Sequence, residues 1–232
     1  MDDRIAGNDG NNLIKAGIGK DVVAGGAGND SIFGEGGRDT LFGDAGNDSI
    51  LGGDDNDLLS GGVGNDTLKG GDDSDLLYGG SGSDRLYGDN GSDRLFGQEG
   101  NDLLDGGSGN DLLDGLVGDD VLFGGAGKDT LLGGDGSDTL FGGTGSDVLR
   151  GGEGHDTFDI QKGARGDIDT IADFNQNEDV IDLSGTAATK FSSLSLKSDG
   201  HGNTVVTVKA DGTKFKLVGY DPNDINSSFF HF

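Results

Sequence analysis

Cysteine and tryptophan are absent from the 232 residues, and proline and methionine occur once each. Without cysteine there is no disulfide framework, no thiolate metal site and no cysteine nucleophile, although that absence alone does not fix the compartment. Apolar side chains are scarce: 31% of residues are hydrophobic and 6% aromatic, too little for an ordinary packed core. Basic side chains are outnumbered, 16 Lys and Arg against 43 Asp and Glu, for a formal charge of -27. Such a surface repels phosphate, so no nucleic acid and no anionic lipid is expected as a partner, and cations are favoured. No run approaches the roughly 18 to 20 apolar residues of a membrane span, so none is expected. The start Met1-Asp2-Asp3-Arg4-Ile5-Ala6-Gly7 has neither a basic nor an apolar region, and no amino-terminal signal peptide is expected.

What the chain does have is 50 glycines and a strict period. On composition alone it should be disordered. Residues 1–159 hold 33 acidic and 9 basic side chains with 43 of the glycines, so the chain divides into a repeat region, 1–159, and a different segment, 160–232. In the first, Asp recurs every nine residues at Asp3, Asp21, Asp30, Asp39, Asp48, Asp57, Asp66, Asp75, Asp84, Asp93, Asp102, Asp111, Asp120, Asp129, Asp138, Asp147 and Asp156, with Asn12 in the one gap. Two residues after each stands an aliphatic or Phe residue, from Ile5 and Ile14 through Leu68 and Leu104 to Leu149 and Phe158. A disordered Gly/Asp tract gives no reason for this phase-locking, whereas a solenoid requires it.

A typical unit is Gly25-Gly26-Ala27-Gly28-Asn29-Asp30-Ser31-Ile32-Phe33, numbered here from position one to position nine. Six turn-forming residues precede three with strand character, the middle one pointing inward. Two units make an eighteen-residue coil, and nine coils at about 4.8 Å each give a rod of roughly 40 Å with two facing rows of aliphatic side chains. One buried aliphatic residue in nine cannot offset the ordering of so much glycine. Stacking also brings the Asp carboxylates into columns where they repel, so something positive is required between them. Ca²⁺ fits, because it takes six to eight oxygen ligands and mixes carboxylates with backbone carbonyls. Mg²⁺ demands a smaller octahedral shell, and Zn²⁺ favours His or Cys that the repeats lack. Sharing each ion between successive turns allows on the order of 16 ions.

The unit resembles the RTX (repeats-in-toxin) haemolysin-type nonapeptide Gly-Gly-x-Gly-x-Asp-x-aliphatic-x over about two thirds of the chain. The resemblance implies an all-β fold, a right-handed parallel β-roll or two-sided β-solenoid, with Ca²⁺ in both rows of turns. It implies that Asp21 and the later Asp residues of the series, through Asp156, are ligands. Turn carbonyls join them, such as those of Gly26, Gly28, Gly62, Gly64, Gly80, Gly82, Gly107, Gly109, Gly125, Gly127, Gly134, Gly136, Gly143 and Gly145. It also implies a secreted, extracellular protein exported by the type I machinery of a Gram-negative bacterium, unfolded at low Ca²⁺ and folding outside, where ion binding is folding free energy.

Departures mark weak places. Ala16 stands at position one and Asn12 at position six, which predicts a frayed or under-occupied amino-terminal coil. Asp55 and Asp73 replace Gly at position four, and Asp44, Asp89, Gln98 and Leu116 at position two, which matters only if those turns need positive φ. Met1 falls at position four of a unit, as if the chain continued something longer.

Residues 160–232 read as a β-rich cap. Asp169 to Phe174 and Asp179 to Ser184 extend the solenoid at irregular spacing, and Ser193 to Lys197, Thr204 to Lys209 and Lys214 to Val218 form an antiparallel meander. By the same resemblance, the end of the chain, through Phe229-Phe230-His231-Phe232, carries an uncleaved secretion signal; alternatively these Phe residues simply pack the cap. Asp221-Pro222 followed by Asp224 resembles a helix start. No catalytic residue is expected: His155, His201 and His231 read as surface or cap residues, and an Asp repeated seventeen times is not a unique constellation. Gly17-Ile18-Gly19-Lys20-Asp21 lacks the spacing and hydroxyl of a phosphate loop. Phe33 with Leu51, Tyr78 with Phe96, and Phe123 with Phe141 should neighbour each other outside, stabilising strands or contacting an extracellular polysaccharide, a sister chain or an effector domain missing from this chain. The outward positions lack the Thr and Asn ladder of an ice-binding face.

Overall fold

The computed structural model describes residues 1–161 and 166–232. Each nonapeptide adds one strand, and successive strands alternate between two facing sheets of 13 and 12 strands. Within the repeats, neighbours in a sheet are parallel and eighteen residues apart: Val23 faces Leu41, Leu41 faces Leu59, and on the other sheet Ile32 faces Ile50. The fold is thus an all-β parallel solenoid of about 9 coils. The position-eight side chains from Val23 to Phe158 are no more than 1% exposed, so they form the two inner rows that the spacing required. Ile5, in the edge strand Arg4–Ala6, is only partly buried, and Leu13 and Ile18 are exposed.

The strands are longer than the three residues expected. Leu58–Val63 and Thr67–Asp72 each run for six, leaving only Gly64-Asn65-Asp66 as the turn. Gly-rich sequence here kinks a strand without ending it. Pairing lapses at position one and resumes at position two, as between Ala24 facing Phe42 and Gly26 facing Asp44. The turns themselves are stitched coil to coil, with Gly64 N–H donating to the Ser81 carbonyl at 2.8 Å and Thr67 N–H to the Asp48 carbonyl at 2.9 Å.

Both sheets continue past the repeats. Asp169–Ile171 pairs with Val148–Glu153, and Val180–Asp182 pairs with Thr157–Asp159, all in parallel. Lys214–Leu217 then lies parallel to Asp169–Ile171, and the meander Leu194–Ser198, Thr204–Val208, Lys214–Leu217 is antiparallel as the alternation indicated. Covering the last coil is an aromatic cluster, with Phe174 5.2 Å and Tyr220 5.5 Å from Phe229 between ring centres. Phe229 and Phe230 are buried there, which is the packing role considered for the terminal aromatics. The expected helix start at Asp221 is instead a turn: Asp221 Oδ1 accepts the Asn223 N–H at 2.9 Å and its carbonyl accepts the Asp224 N–H, and only a single 3-10 turn, Ser227–Phe229, capped by Asn226, follows. A short polar side chain that bonds two residues onward supports a turn as readily as a helix cap. Among the described residues no helix is long and apolar enough to cross a membrane.

Candidate metal centre

The Asp residues at position six form two rows, one on each side of the roll. Asp66 N–H donates to Asp84 Oδ1 at 2.7 Å, and Asp84 N–H donates to Asp102 Oδ1 at 2.8 Å. The same bond recurs along both rows, from Asp3 with Asp21 to Asp138 with Asp156. One backbone donor per carboxylate relieves part of the repulsion along a row. It leaves the other oxygen bare. In all sixteen residues from Asp21 to Asp156, Oδ2 is buried without a hydrogen-bond partner, and the residues are 1 to 4% exposed. Buried carboxylate oxygens without partners are costly, and a cation between the turns would relieve that cost along both rows.

From Asp39 to Asp156 burial raises these carboxyls above the usual range, opposed by the backbone N–H from the preceding coil and, in all but Asp102, reinforced by neighbouring carboxylates. Asp75 is pushed up to about 8, Asp57, Asp84, Asp93, Asp120 and Asp129 to about 7, and Asp66, Asp138 and Asp156 to about 6.

Glycine serves two different needs. The fourteen turn glycines named as carbonyl donors, at positions two and four, all have positive φ, between 88° and 145°. Their carbonyls aim at the following coil. Those of Gly62, Gly64, Gly107 and Gly109 crowd the α-carbons of Gly80, Gly82, Gly125 and Gly127, close enough to forbid an unshifted Cβ. Asp44, Asp55, Asp73, Asp89, Gln98 and Leu116 also hold positive φ, from 67° to 85°, as does Glu35, a departure the sequence reading overlooked. These turns therefore do demand the left-handed region, and non-glycine residues there accept strain. Position one needs glycine for another reason. A Cβ on Gly79 would lie 2.5 Å from Asp84 Oδ2 and 2.7 Å from the Gly97 carbonyl oxygen, so the carboxylate itself occupies the space of a side chain.

The exception in the row shows what the gap between turns accommodates. Asn12 Nδ2 donates to the carbonyls of Gly10 and Asn8, at positions four and two of its own turn, and at 3.0 Å to Asp30 Oδ1 of the next coil. An N–H donor group thus fills a pocket of carbonyls and carboxylate. Where Asp replaces Asn, that pocket gains a second carboxylate and loses its donor. A second ladder, not foreseen, joins the position-five residues: Asn29, Asn47 and Asn65 Oδ1 accept the N–H groups of Asn47, Asn65 and Ser83, each at 2.9 Å. This explains the Asn and Ser bias of that position.

Two further carboxylates join the rows from beyond the repeats. Asp169 Oδ1 accepts the Asp147 N–H at 3.2 Å, and Asp179 Oδ1 accepts the Asp156 N–H at 3.1 Å. The retained Asp-x-aliphatic triplets Asp169-Thr170-Ile171 and Asp179-Val180-Ile181 carried the signal, but the spacings are 22 and 23 rather than 18. His155, His201 and His231 are exposed and stand outside the rows, His155 Nδ1 lying 3.0 Å from the Glu178 carbonyl oxygen. Outside the roll, Tyr78 stacks on Phe96 at 5.2 Å and Phe123 on Phe141 at 4.5 Å, and Phe33 faces Leu51.

The RTX calcium-binding nonapeptide repeat (4 copies) matches residues 1–32, 33–68, 60–95, 69–104, 87–122, 96–131, 105–140 and 132–163. The chain belongs to that family. Among solved structures it is similar to the AlgE6R3 subunit of the Azotobacter vinelandii mannuronan C5-epimerase, at 25% identity over 70% of this chain and 80% of that one, TM-score 0.36. It is also similar to the extracellular lipase LipA from Serratia marcescens, at 16% identity over 92% of this chain and 40% of that one, TM-score 0.23. No curated protein matches.

The donor set suits the ion of that family. Among the described residues no three acidic or histidine side chains converge on one point, so a cation between turns would draw on the Asp residues of adjoining coils together with carbonyl oxygens. An all-oxygen shell of this mixed kind suits Ca²⁺ better than Zn²⁺.

Proposed function

We propose that the chain is a folding and export module of a secreted protein, unfolded where Ca²⁺ is scarce and driven into the roll by Ca²⁺ once outside the cell. Asp21 through Asp156 at position six serve as carboxylate ligands, with the position-two and position-four carbonyls completing each shell, for on the order of 16 ions. The observation that carries this is the set of sixteen buried, unpartnered Oδ2 atoms, which leaves the roll incomplete without cations. Residues 160–232 act as the cap on which the last coil closes, and their end holds the type I secretion signal. Because Phe229 and Phe230 are buried in the folded cap, such a signal is readable only before folding. Titrating chelated protein with Ca²⁺, followed by far-UV circular dichroism and calorimetry, should give a cooperative coil-to-β transition with well over ten ions bound and no matching response to Mg²⁺. β structure that survives chelation at pH 8, or binding of one or two ions, would refute it.

The stacked outer aromatics favour a second reading, in which the roll is itself a secreted adhesin or polysaccharide-binding module and calcium is structural. Arg94 lies over the Phe96 ring at 5.6 Å beside Tyr78. Tyr78→Ser with Phe96→Ser should abolish polysaccharide binding under this reading and leave it unchanged under the first.

A further inference from the structure

The seam between the last repeat and the cap reproduces the contacts of an ordinary pair of turns. On one row, Ile168 N–H donates to Ser146 Oγ at 3.0 Å, Asp147 N–H to Asp169 Oδ1 at 3.2 Å, and Thr170 N–H to the Asp147 carbonyl at 2.7 Å. These are the position-five, position-six and position-seven bonds of the repeat, made across 22 residues. On the other row, Asp156 N–H donates to Asp179 Oδ1 at 3.1 Å and Val180 N–H to the Asp156 carbonyl at 2.8 Å. Asp147 and Asp156 are each 1% exposed, and each keeps an Oδ2 with no partner, as in a turn that has a full repeat beyond it. Asp179, 6% exposed, is held on its far side by the Asn175 N–H, 2.7 Å from Oδ2, where no further turn follows.

We propose that Asp169 and Asp179 each complete one more Ca²⁺ site, across the seam from Asp147 and Asp156, so that two ions fasten the carboxy-terminal segment to the last coil. The proposal rests on the calcium reading above and extends it to residues outside the nonapeptide pattern. The register of Asn12 indicates the rest of each shell. The pocket it fills is made by the position-two and position-four carbonyls of its own turn and the carboxylate of the next. At the seam the corresponding carbonyls are those of Gly143 and Gly145 on one row and Gly152 and Gly154 on the other, all with positive φ as in the earlier turns. Calcium would then act on the cap directly, and not only through the coils beneath it.

The test counts ions in the full chain by native mass spectrometry at saturating Ca²⁺, with far-UV circular dichroism confirming the wild-type spectrum. Asp169→Asn and Asp179→Asn keep Oδ1 as an acceptor for the backbone N–H and remove the charge. Each should bind one ion fewer than wild type, and the double variant two fewer, while the exposed Glu153→Gln should lose none. Unchanged counts in both Asp variants would overturn the seam sites and leave the calcium roll standing; a wild type that binds one or two ions would overturn the roll itself. If one Asp variant does not fold, the other carries the test on its own row. If neither reaches the wild-type spectrum, Asp169→Glu and Asp179→Glu, which restore the charge, should recover both fold and count, and failure to recover them would also overturn the proposal.

Discussion

Gly79 and Gly80 are adjacent in one turn, and backbone conformation alone ranks them in the wrong order. Gly80 has φ of +122°, so Gly80→Ala is the change that a Ramachandran argument condemns. On the present backbone its Cβ would also meet the Gly62 carbonyl oxygen at 2.0 Å, yet Gln98, one coil on at the same position, is accommodated by a rotation to φ 85°, and Glu35, Asp44, Asp89 and Leu116 show the same accommodation. That rotation costs about 1–2 kcal/mol. Gly79→Ala finds no such escape. Its Cβ would meet Asp84 Oδ2 at 2.5 Å and the Gly97 carbonyl oxygen at 2.7 Å, and position one is glycine in every unit from Gly25 to Gly151. Moving the carboxylate disrupts its 2.7 Å bond from Asp66 N–H, at about 1.5–3 kcal/mol for a charged acceptor. Overpacking adds about 1–3 kcal/mol. We therefore expect Gly79→Ala to cost roughly 3–6 kcal/mol and Gly80→Ala about 1–2 kcal/mol. Thermal unfolding at fixed, saturating Ca²⁺ should separate them clearly, at about 2–4 °C per kcal/mol for a chain of this size. Gly79→Ala should also need more Ca²⁺ to fold. A Gly80→Ala variant as destabilised as Gly79→Ala, or more so, would refute the claim that the carboxylate occupies the position-one space.

Other predictions concern the rows. Asn12→Asp removes the amide that fills the first gap of its row and should raise the ion count by one, an unchanged count meaning that the amide is not a stand-in. Without metal, the raised carboxyls make folding acid-favoured. The contribution of Asp57, Asp75, Asp84, Asp93, Asp120 and Asp129 is fully present below about 4 and lost as pH rises through about 7 to 8. Chelated protein should gain β signal in circular dichroism as pH falls from 8 to 4, and a gain on raising pH would contradict the cited shifts. By the same linkage, Ca²⁺ binding to a folded, partly protonated roll should release protons, measurable as a buffer-dependent heat in calorimetry.

Coil length, the inward rows and the identity of the repeating acidic residues follow from periodicity alone. A phase-locked Asp and aliphatic residue every nine positions, with no insertion, leaves residues eighteen apart as the natural neighbours, and the pairings within the repeats, from Val23 with Leu41 to Leu140 with Phe158, obey it. The antiparallel meander was legible for a similar reason, since alternation and turn residues are local signals. What depends on contacts between coils is visible only once the coils are stacked. That Gly79 must yield to a carboxylate while Gly80 need only rotate follows from where Asp84 and the Gly97 carbonyl lie. That Asn65 accepts from Ser83, and that the Asn12 amide occupies a gap between turns, are interactions across eighteen residues. Asp169 and Asp179 escaped the periodic reading because their spacing breaks it; only the sheets, which run on through the seam, return their carboxylates to the rows. Periodicity specifies position along a coil, whereas the space left for a side chain or an ion is set by the coil stacked against it.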